Sequence, residues 1–389
     1  MPRPTGRHFL QIPGPTNVPE RILRAMAQST IDHRGPEFVE LWNDVRAGLA
    51  RIIGTKGGVV LYPGSGTGAW EAALSNTLNP GDRVLMCDTG HFAAKWLEMA
   101  SQIGLQPEVI EVEWGNGADP EAIEAKLKED ENHKIKAVCI VHNETSTGVA
   151  SRLKEVRDAI DTSRHPALYM VDTISSLASI PYHQDDLGVD VTVGCSQKGL
   201  MLPPGFGFNG ISDKALDAAK SARKARSYWE WTAMIQAAKS GSFSYTPPTN
   251  LLYGLREAVS MLEEEGMDNV FARHDRHAEA TRRCVRHWDL ELVCRNPEEY
   301  SSSLTAVWLP QGHDADEFRK VVLERFNMSL GNGLGQLAGR VFRIGHLGDF
   351  NDLMLAGTLS GVEMGLAIAG VPFNKGGVQV ALDYLAGNA

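Results

Sequence analysis

Val189-Asp190-Val191-Thr192-Val193-Gly194-Cys195-Ser196-Gln197-Lys198-Gly199 carries a strand-like run into a single lysine set among small residues. A short step upstream, Leu168-Tyr169-Met170-Val171-Asp172 carries an apolar strand into a single carboxylate. An apolar run without polar alternation marks a strand covered on both faces, as in a mostly parallel sheet flanked by helices. A lysine and a carboxylate at neighbouring strand ends are the two groups that pyridoxal phosphate requires. The amine holds the coenzyme aldehyde covalently, and the carboxylate keeps the pyridine nitrogen protonated so that the ring can draw electrons.

The surroundings fit that sheet. Val59-Val60-Leu61-Tyr62 leads through Gly64-Ser65-Gly66-Thr67-Gly68 into a helical pattern over Ala69 to Leu78. Asp82 to Cys87, Val109 to Val112 and Ile135 to Val141 read as further strands, with a helix over 119–130 opened by Asp119 as cap and Pro120 as first residue. Strand–helix alternation of this kind predicts right-handed crossovers and an α/β fold. Leu202-Pro203-Pro204-Gly205-Phe206-Gly207 reads as a rigid loop. Beyond about residue 250 come long helices, Leu251 to Glu265 and Val270 to Trp288, then shorter strands (Thr305 to Leu309, Val341 to Ile344) and a helix near 314–326. The expected division is a large domain over 1–265 and a small C-terminal α+β domain over 266–389.

Composition narrows the class. A chain of 389 residues with 43% hydrophobic content can bury a full core. A net charge of -10 argues against nucleic acid or an anionic membrane as partner. No window approaches the ~18 uninterrupted apolar residues of a membrane span, and the N-terminal stretch is too short and broken for a signal-peptide core. Five cysteines without a CxxC pair read as reduced, buried residues of a cytoplasmic protein.

The glycine loop Gly64 to Gly68 sits between strand and helix, where free N–H groups and hydroxyls form a phosphate cup. It also approaches a dinucleotide fingerprint, with Asp88 at the next strand end, although its third glycine comes one residue early. Asp172 has a competing reading as the cap of the following turn. Arg343 stands mid-strand in an apolar run followed by glycines, where an unpaired charge is costly and a guanidinium fork suits a substrate carboxylate. Arg273-His274-Asp275-Arg276-His277 lacks metal-ligand spacing and reads as a solvated helix face, so no metal is expected.

Taken in order, these segments resemble the class V aminotransferases of pyridoxal-phosphate fold type I, and within them the serine–glyoxylate branch. The resemblance runs over nearly the whole chain: Pro13-Gly14-Pro15-Thr16-Asn17-Val18-Pro19, Asp32-His33-Arg34-Gly35-Pro36, the Gly64 loop, Val141-His142-Asn143-Glu144-Thr145-Ser146-Thr147-Gly148, Val171-Asp172, Ser196-Gln197-Lys198, Tyr245-Thr246-Pro247-Pro248 and Arg343-Ile344-Gly345-His346-Leu347-Gly348. The resemblance implies that Lys198 carries the coenzyme and Asp172 pairs with its ring nitrogen. Gly66, Thr67, Gly68 and Gln197 would hold the phosphate, joined by Thr246 from a second subunit. Phe92 would stack on the ring, with Thr145 and Ile174 beside it. His33, Arg34 and Arg343 would bind substrate. Two departures stand out: some relatives stack a tryptophan where this chain has Phe92, and carry a phosphate-contacting tyrosine where Phe243 falls.

The expected activity is transfer of the amino group of L-serine to glyoxylate in a homodimer, with alanine or aspartate as alternative donors. Two other classes remain open. A cysteine desulfurase shares the fold but needs a mobile cysteine and usually a histidine where Gln197 stands. A nicotinamide-dependent dehydrogenase would use the glycine loop and Asp88.

Overall fold

The computed structural model describes residues 6–223 and 225–387. Its strands are β1 (Phe9–Gln11), β2 (Gly58–Pro63), β3 (Arg83–Asp88), β4 (Gln106–Glu111), β5 (Ile135–Val141), β6 (Asn143–Glu144), β7 (Val149–Ala150), β8 (Leu168–Asp172), β9 (Val191–Cys195), β10 (Phe206–Ile211), β11 (Leu304–Trp308), β12 (Met328–Asn332) and β13 (Val341–Gly345). Seven of them form one sheet in the order β2-β10-β9-β8-β5-β3-β4. The pairings β3–β4, β3–β5, β5–β8 and β8–β9 are parallel, and β10 runs antiparallel to both its neighbours.

The unbroken apolar strands follow from two cores, one on each face. Leu85, Val138, Ile140, Tyr169 and Val171 enter one core with helices Pro36–Ile53, Leu153–Thr162 and Thr249–Glu265. Their neighbours Val84, Met86, Ala137, Cys139, Leu168 and Met170 enter the other, with helices Gly66–Thr77 and His91–Gln102. Successive side chains point to opposite faces, so both must be apolar.

Several bounds differ from the sequence reading. The segment read as a loop through Gly207 turns into the fully buried strand β10. Its glycines disguise it, and they have a steric cause: a Cβ on Gly207 would lie 2.3 Å from the Ser65 carbonyl oxygen. Helix 120–129 starts as expected, with the Asp119 side chain accepting from the Glu121 and Ala122 amides. The 273–277 stretch is solvated only in part: Asp275 is exposed and Arg276 half-buried, but His274 and His277 are buried. His274 accepts from the Gly348 amide, and His277 pairs with Asp352 at 2.9 Å.

The second sheet is four-stranded, in the order β1-β12-β13-β11. Its β1 comes from the start of the chain and lies parallel to β12, with Phe9 opposite Met328. Around it, helices Met267–His287, Ala315–Phe326, Asp352–Ile368 and Gly377–Leu385 close a separate core. The segment leaving β1 then runs back to the large sheet, where the Thr16 amide donates to the Gln197 carbonyl at 3.1 Å. No helix among the described residues is long and apolar enough to cross a membrane.

Candidate active site

In the large sheet the chain moves outward from β3 to β4 on one side and from β5 through β8 to β9 on the other. At such a switch the loops diverge and leave a crevice beyond the carboxyl ends of the strands. Here it is a cavity of about 460 Å³, and Gly66, Thr67, Phe92, Thr145, Asp172, Ile174, Gln197 and Lys198 line it. Eight of the sequence-selected residues therefore share one wall system.

Lys198 follows β9 by three residues, and its Nζ donates to the Pro13 carbonyl at 2.8 Å. Burial lowers the pKa of its ammonium, and Arg343 lowers it further, while Cys195 and Asp172 oppose the shift. Gly14 leaves the room this side chain occupies: it sits at φ +122°, and a Cβ there would lie 2.4 Å from both Cδ and Nζ of Lys198.

Asp172 ends β8, 4% exposed, and both its oxygens are engaged. Oδ1 accepts from the Ile174 amide at 2.6 Å, the local turn bond of a cap residue, and Oδ2 accepts from the Trp70 indole at 2.9 Å. Burial pushes its carboxyl up to about 7 in spite of these donors, with Glu144 adding to the rise and Lys198 opposing it. The cap and cavity-wall readings of Asp172 are both satisfied, by different oxygens.

At the Gly66 end, the helix Gly66–Thr77 begins after Ser65 without a side-chain cap. Its first amides therefore face the cavity as anion donors. Gly66 lets Ile174 pack close, since a Cβ would lie 2.3 Å from Ile174 Cδ1 and force that side chain to shift. Gly68 is not in the cavity wall, and a Cβ on it would lie 2.6 Å from the Trp229 ring, a direction that leaves its amide unconstrained. The neighbouring helix His91–Gln102 differs. Ser146 Oγ accepts from the His91 amide, and Glu144 Oε2 accepts from the Phe92 and Ala93 amides at 3.1 and 3.0 Å. Glu144 is 1% exposed, and its Oε1 accepts from the amide and hydroxyl of Ser146. This buried carboxylate thus ties the helix bearing Phe92 to the β6 hairpin bearing Thr145.

Arg343, on β13, is buried behind that hairpin and does not line the cavity. Its Nε donates to the Asn332 carbonyl at 2.7 Å and its Nη1 to the Thr145 carbonyl at 2.8 Å, and Nη2 has no hydrogen-bond partner among the described residues. Burial brings the guanidinium down to about 10, with Glu144 opposing the shift. His33, Arg34 and Thr246 also lie outside the cavity wall, and Arg34 and Thr246 are exposed. Phe243 packs edge-on against Trp42, away from the site.

Two observations test whether a coenzyme suits these walls. The amide oxygens of Asn143 and Gln197, both lining the cavity, are buried without a hydrogen-bond partner among the described residues. Buried orphans of this kind call for a ligand or water. The amine, the carboxylate and the free helix N-terminus also supply the donor set for an aldehyde, a pyridine nitrogen and a phosphate. The residues fit the group.

Sequence reasoning passed over Trp70, Asn143, Ser175 and the outer turns of helix His91–Gln102, where Lys95, Glu98, Met99 and Gln102 line the mouth. For Trp70 the signal was present: it stands four residues after Gly66, one helical turn along the same face. No group of three or more potential metal ligands is found among the described residues.

The family model described as aminotransferase class-V matches residues 8–335. A serine–glyoxylate aminotransferase of Methylorubrum extorquens is 48% identical over 99% of this chain and 98% of its own length. An L-aspartate–glyoxylate aminotransferase of Paracoccus denitrificans is 41% identical over 98% and 96%. Among solved structures, the ureidoglycine–glyoxylate aminotransferase of Bacillus subtilis superposes with a TM-score of 0.90 at 27% identity, covering 99% of this chain and 100% of that one. With strand order, cavity walls and sequence in agreement, the chain belongs to the class-V aminotransferase family.

Proposed function

We propose that this protein is a pyridoxal-phosphate-dependent transaminase that moves the amino group of L-serine to glyoxylate, giving hydroxypyruvate and glycine. The observation that carries the reading is the pair of buried groups, Lys198 and Asp172, in the walls of one cavity. Serine as donor is supported by the relatives of that name at 48% and 44% identity.

When bound, the coenzyme supplies an electron sink for the charge left on the substrate carbon. The protein does the rest. Lys198 would hold the coenzyme, and its burial favours the neutral, proton-accepting form of its amine. Asp172 holds a proton on the ring nitrogen. The amides of Gly66, Thr67 and Gly68 with Gln197 hold the phosphate, and Thr246 of a second copy completes that pocket in a homodimer. Phe92 covers one ring face, with Thr145 and Ile174 alongside. Arg343, through Nη2, takes the substrate carboxylate, and His33 and Arg34 complete substrate binding. We place the homodimer in the cytoplasm, and we divide the subunit at residue 265.

The desulfurase alternative loses support because Cys284 and Cys294 are buried and outside the cavity wall. The test is the visible absorption of protein reconstituted with pyridoxal phosphate, together with kcat/KM for serine, alanine and aspartate against glyoxylate. A band present in the wild type and lost in Lys198→Ala is expected, with serine the best donor. Serine trailing both others tenfold or more overturns the donor assignment, and a wild type without the band overturns the coenzyme.

A further inference from the structure

We propose that Trp70 is a positioning residue for the coenzyme, acting through Asp172: its indole N–H holds Oδ2 so that the carboxylate stays turned into the cavity and keeps its charge. The inference rests on the coenzyme reading above and assigns a role to a residue outside the expected site.

Trp70 lies on the first turns of the helix whose amino end faces the cavity, is 3% exposed and lines the cavity wall. Its ring stacks on Trp96 of helix His91–Gln102, with centroids 5.8 Å apart and planes 12° from parallel. One side chain therefore touches the phosphate-end helix, the helix bearing Phe92 and the carboxylate on β8.

The contrast with other core tryptophans argues against simple space filling. The indole nitrogens of Trp42 and Trp96 are buried with no partner among the described residues. This fold thus tolerates a buried indole N–H left alone, yet the one at residue 70 is aimed at a carboxylate 102 residues away. A hydrogen bond to an ionised group is worth more than one between neutral groups, so this bond favours the charged form of Asp172. The other groups around that carboxyl are the Ile174 amide, Glu144, Lys198 and the Cys195 thiol. Of these, the Ile174 amide and Lys198 also favour the charged form and Glu144 opposes it, and among the described residues Trp70 contributes the side-chain hydrogen bond, on the oxygen that Ile174 leaves free.

The test is a double-mutant cycle read by titrating coenzyme-stripped protein with pyridoxal phosphate alone. Trp70→Phe keeps the aromatic wall and removes the donor. It is expected to weaken binding about tenfold in the wild-type background and less than twofold in the Asp172→Asn background, since the partner is already gone. Trp96→Phe, which disturbs only the stack, is expected to stay within twofold of wild type. A second readout needs no coenzyme: ¹³C NMR of the Asp172 carboxyl, whose titration midpoint should rise in Trp70→Phe. The assignment is overturned if Trp70→Phe weakens binding equally in both backgrounds, if it has no effect, or if the Asp172 midpoint stays put. Failure of the wild type itself to take up pyridoxal phosphate would instead sink the coenzyme reading, and this assignment with it.

Discussion

Glu144→Gln preserves size and shape and removes one charge, so its cost can be worked from the four donors that converge on this side chain. Two are the Phe92 and Ala93 amides on Oε2, and two are the amide and hydroxyl of Ser146 on Oε1. A carboxamide offers one oxygen and one NH₂. With its oxygen toward the helix, the Ser146 amide faces an N–H; turned round, the Phe92 and Ala93 amides do. Either way at least one buried N–H loses its acceptor, at ~1–3 kcal/mol, and the bonds that remain lose their charge assistance, at about 1 kcal/mol more. The helix N-terminus also loses the anion that complements its dipole. The sum is about 3 kcal/mol. At a slope near 3 kcal/mol/M this lowers the urea midpoint of coenzyme-free protein by about 1 M, at fixed protein concentration. Coenzyme affinity should fall with it, because helix His91–Gln102 carries Phe92 to the cavity. A midpoint within about 0.2 M of wild type would refute the claim that this carboxylate fastens the helix.

Gly14→Ala should displace Lys198, since the new methyl would occupy the space of its Cδ and Nζ while the backbone is held at φ +122°. The expected result is ~1–3 kcal/mol of lost stability with loss of the coenzyme's visible band; an unchanged melting temperature and band would refute it. Acid should destabilise the fold through buried neutral histidines. Burial lowers the pKa of His142 from 6.5 to about 4 and of His274 to about 3. The unfolded chain then binds more protons than the native one below pH 6.5, so stability is fully present above 6.5 and falls as pH drops toward those values. His274 donates through Nδ1 to the Val270 carbonyl and accepts at Nε2 from the Gly348 amide, so protonation sets two donors against each other. Melting temperature should decline from pH 7 to 4.5, less steeply in His274→Gln; equal slopes would refute the assignment.

The sheet was legible because Tyr169 and Met170, or Val138 and Cys139, serve cores on opposite faces, which forces an apolar run. Lys198 and Asp172 were legible because each ends such a run. The strand β10 was not, since Gly207 and Gly210 answer to close neighbours, Ser65 and Gln184, that no local pattern reveals. His274 and His277 read as solvated because a histidine's burial depends on what another segment brings, here Gly348 and Asp352. Glu144 lay in plain view within the Asn143–Gly148 motif, but its function exists only once the helix at residue 91 meets it. Arg343 lies within a buried strand, as its apolar neighbours implied. Its two carbonyl partners come from segments that sequence does not connect.

The pairing of β1 with β12 sets an order on biosynthesis. Phe9 leaves the ribosome more than three hundred residues before Met328, an interval of roughly 15–60 s at typical elongation rates. During that time the parallel strands and their crossover helices can assemble, but the opening segment has no edge to join. Since the next residues on that thread include Pro13, whose carbonyl accepts from the Lys198 amine, the seat of Lys198 is completed only after β12 has been made. A nascent chain stalled before residue 328 should thus hold a formed central sheet and an unseated lysine.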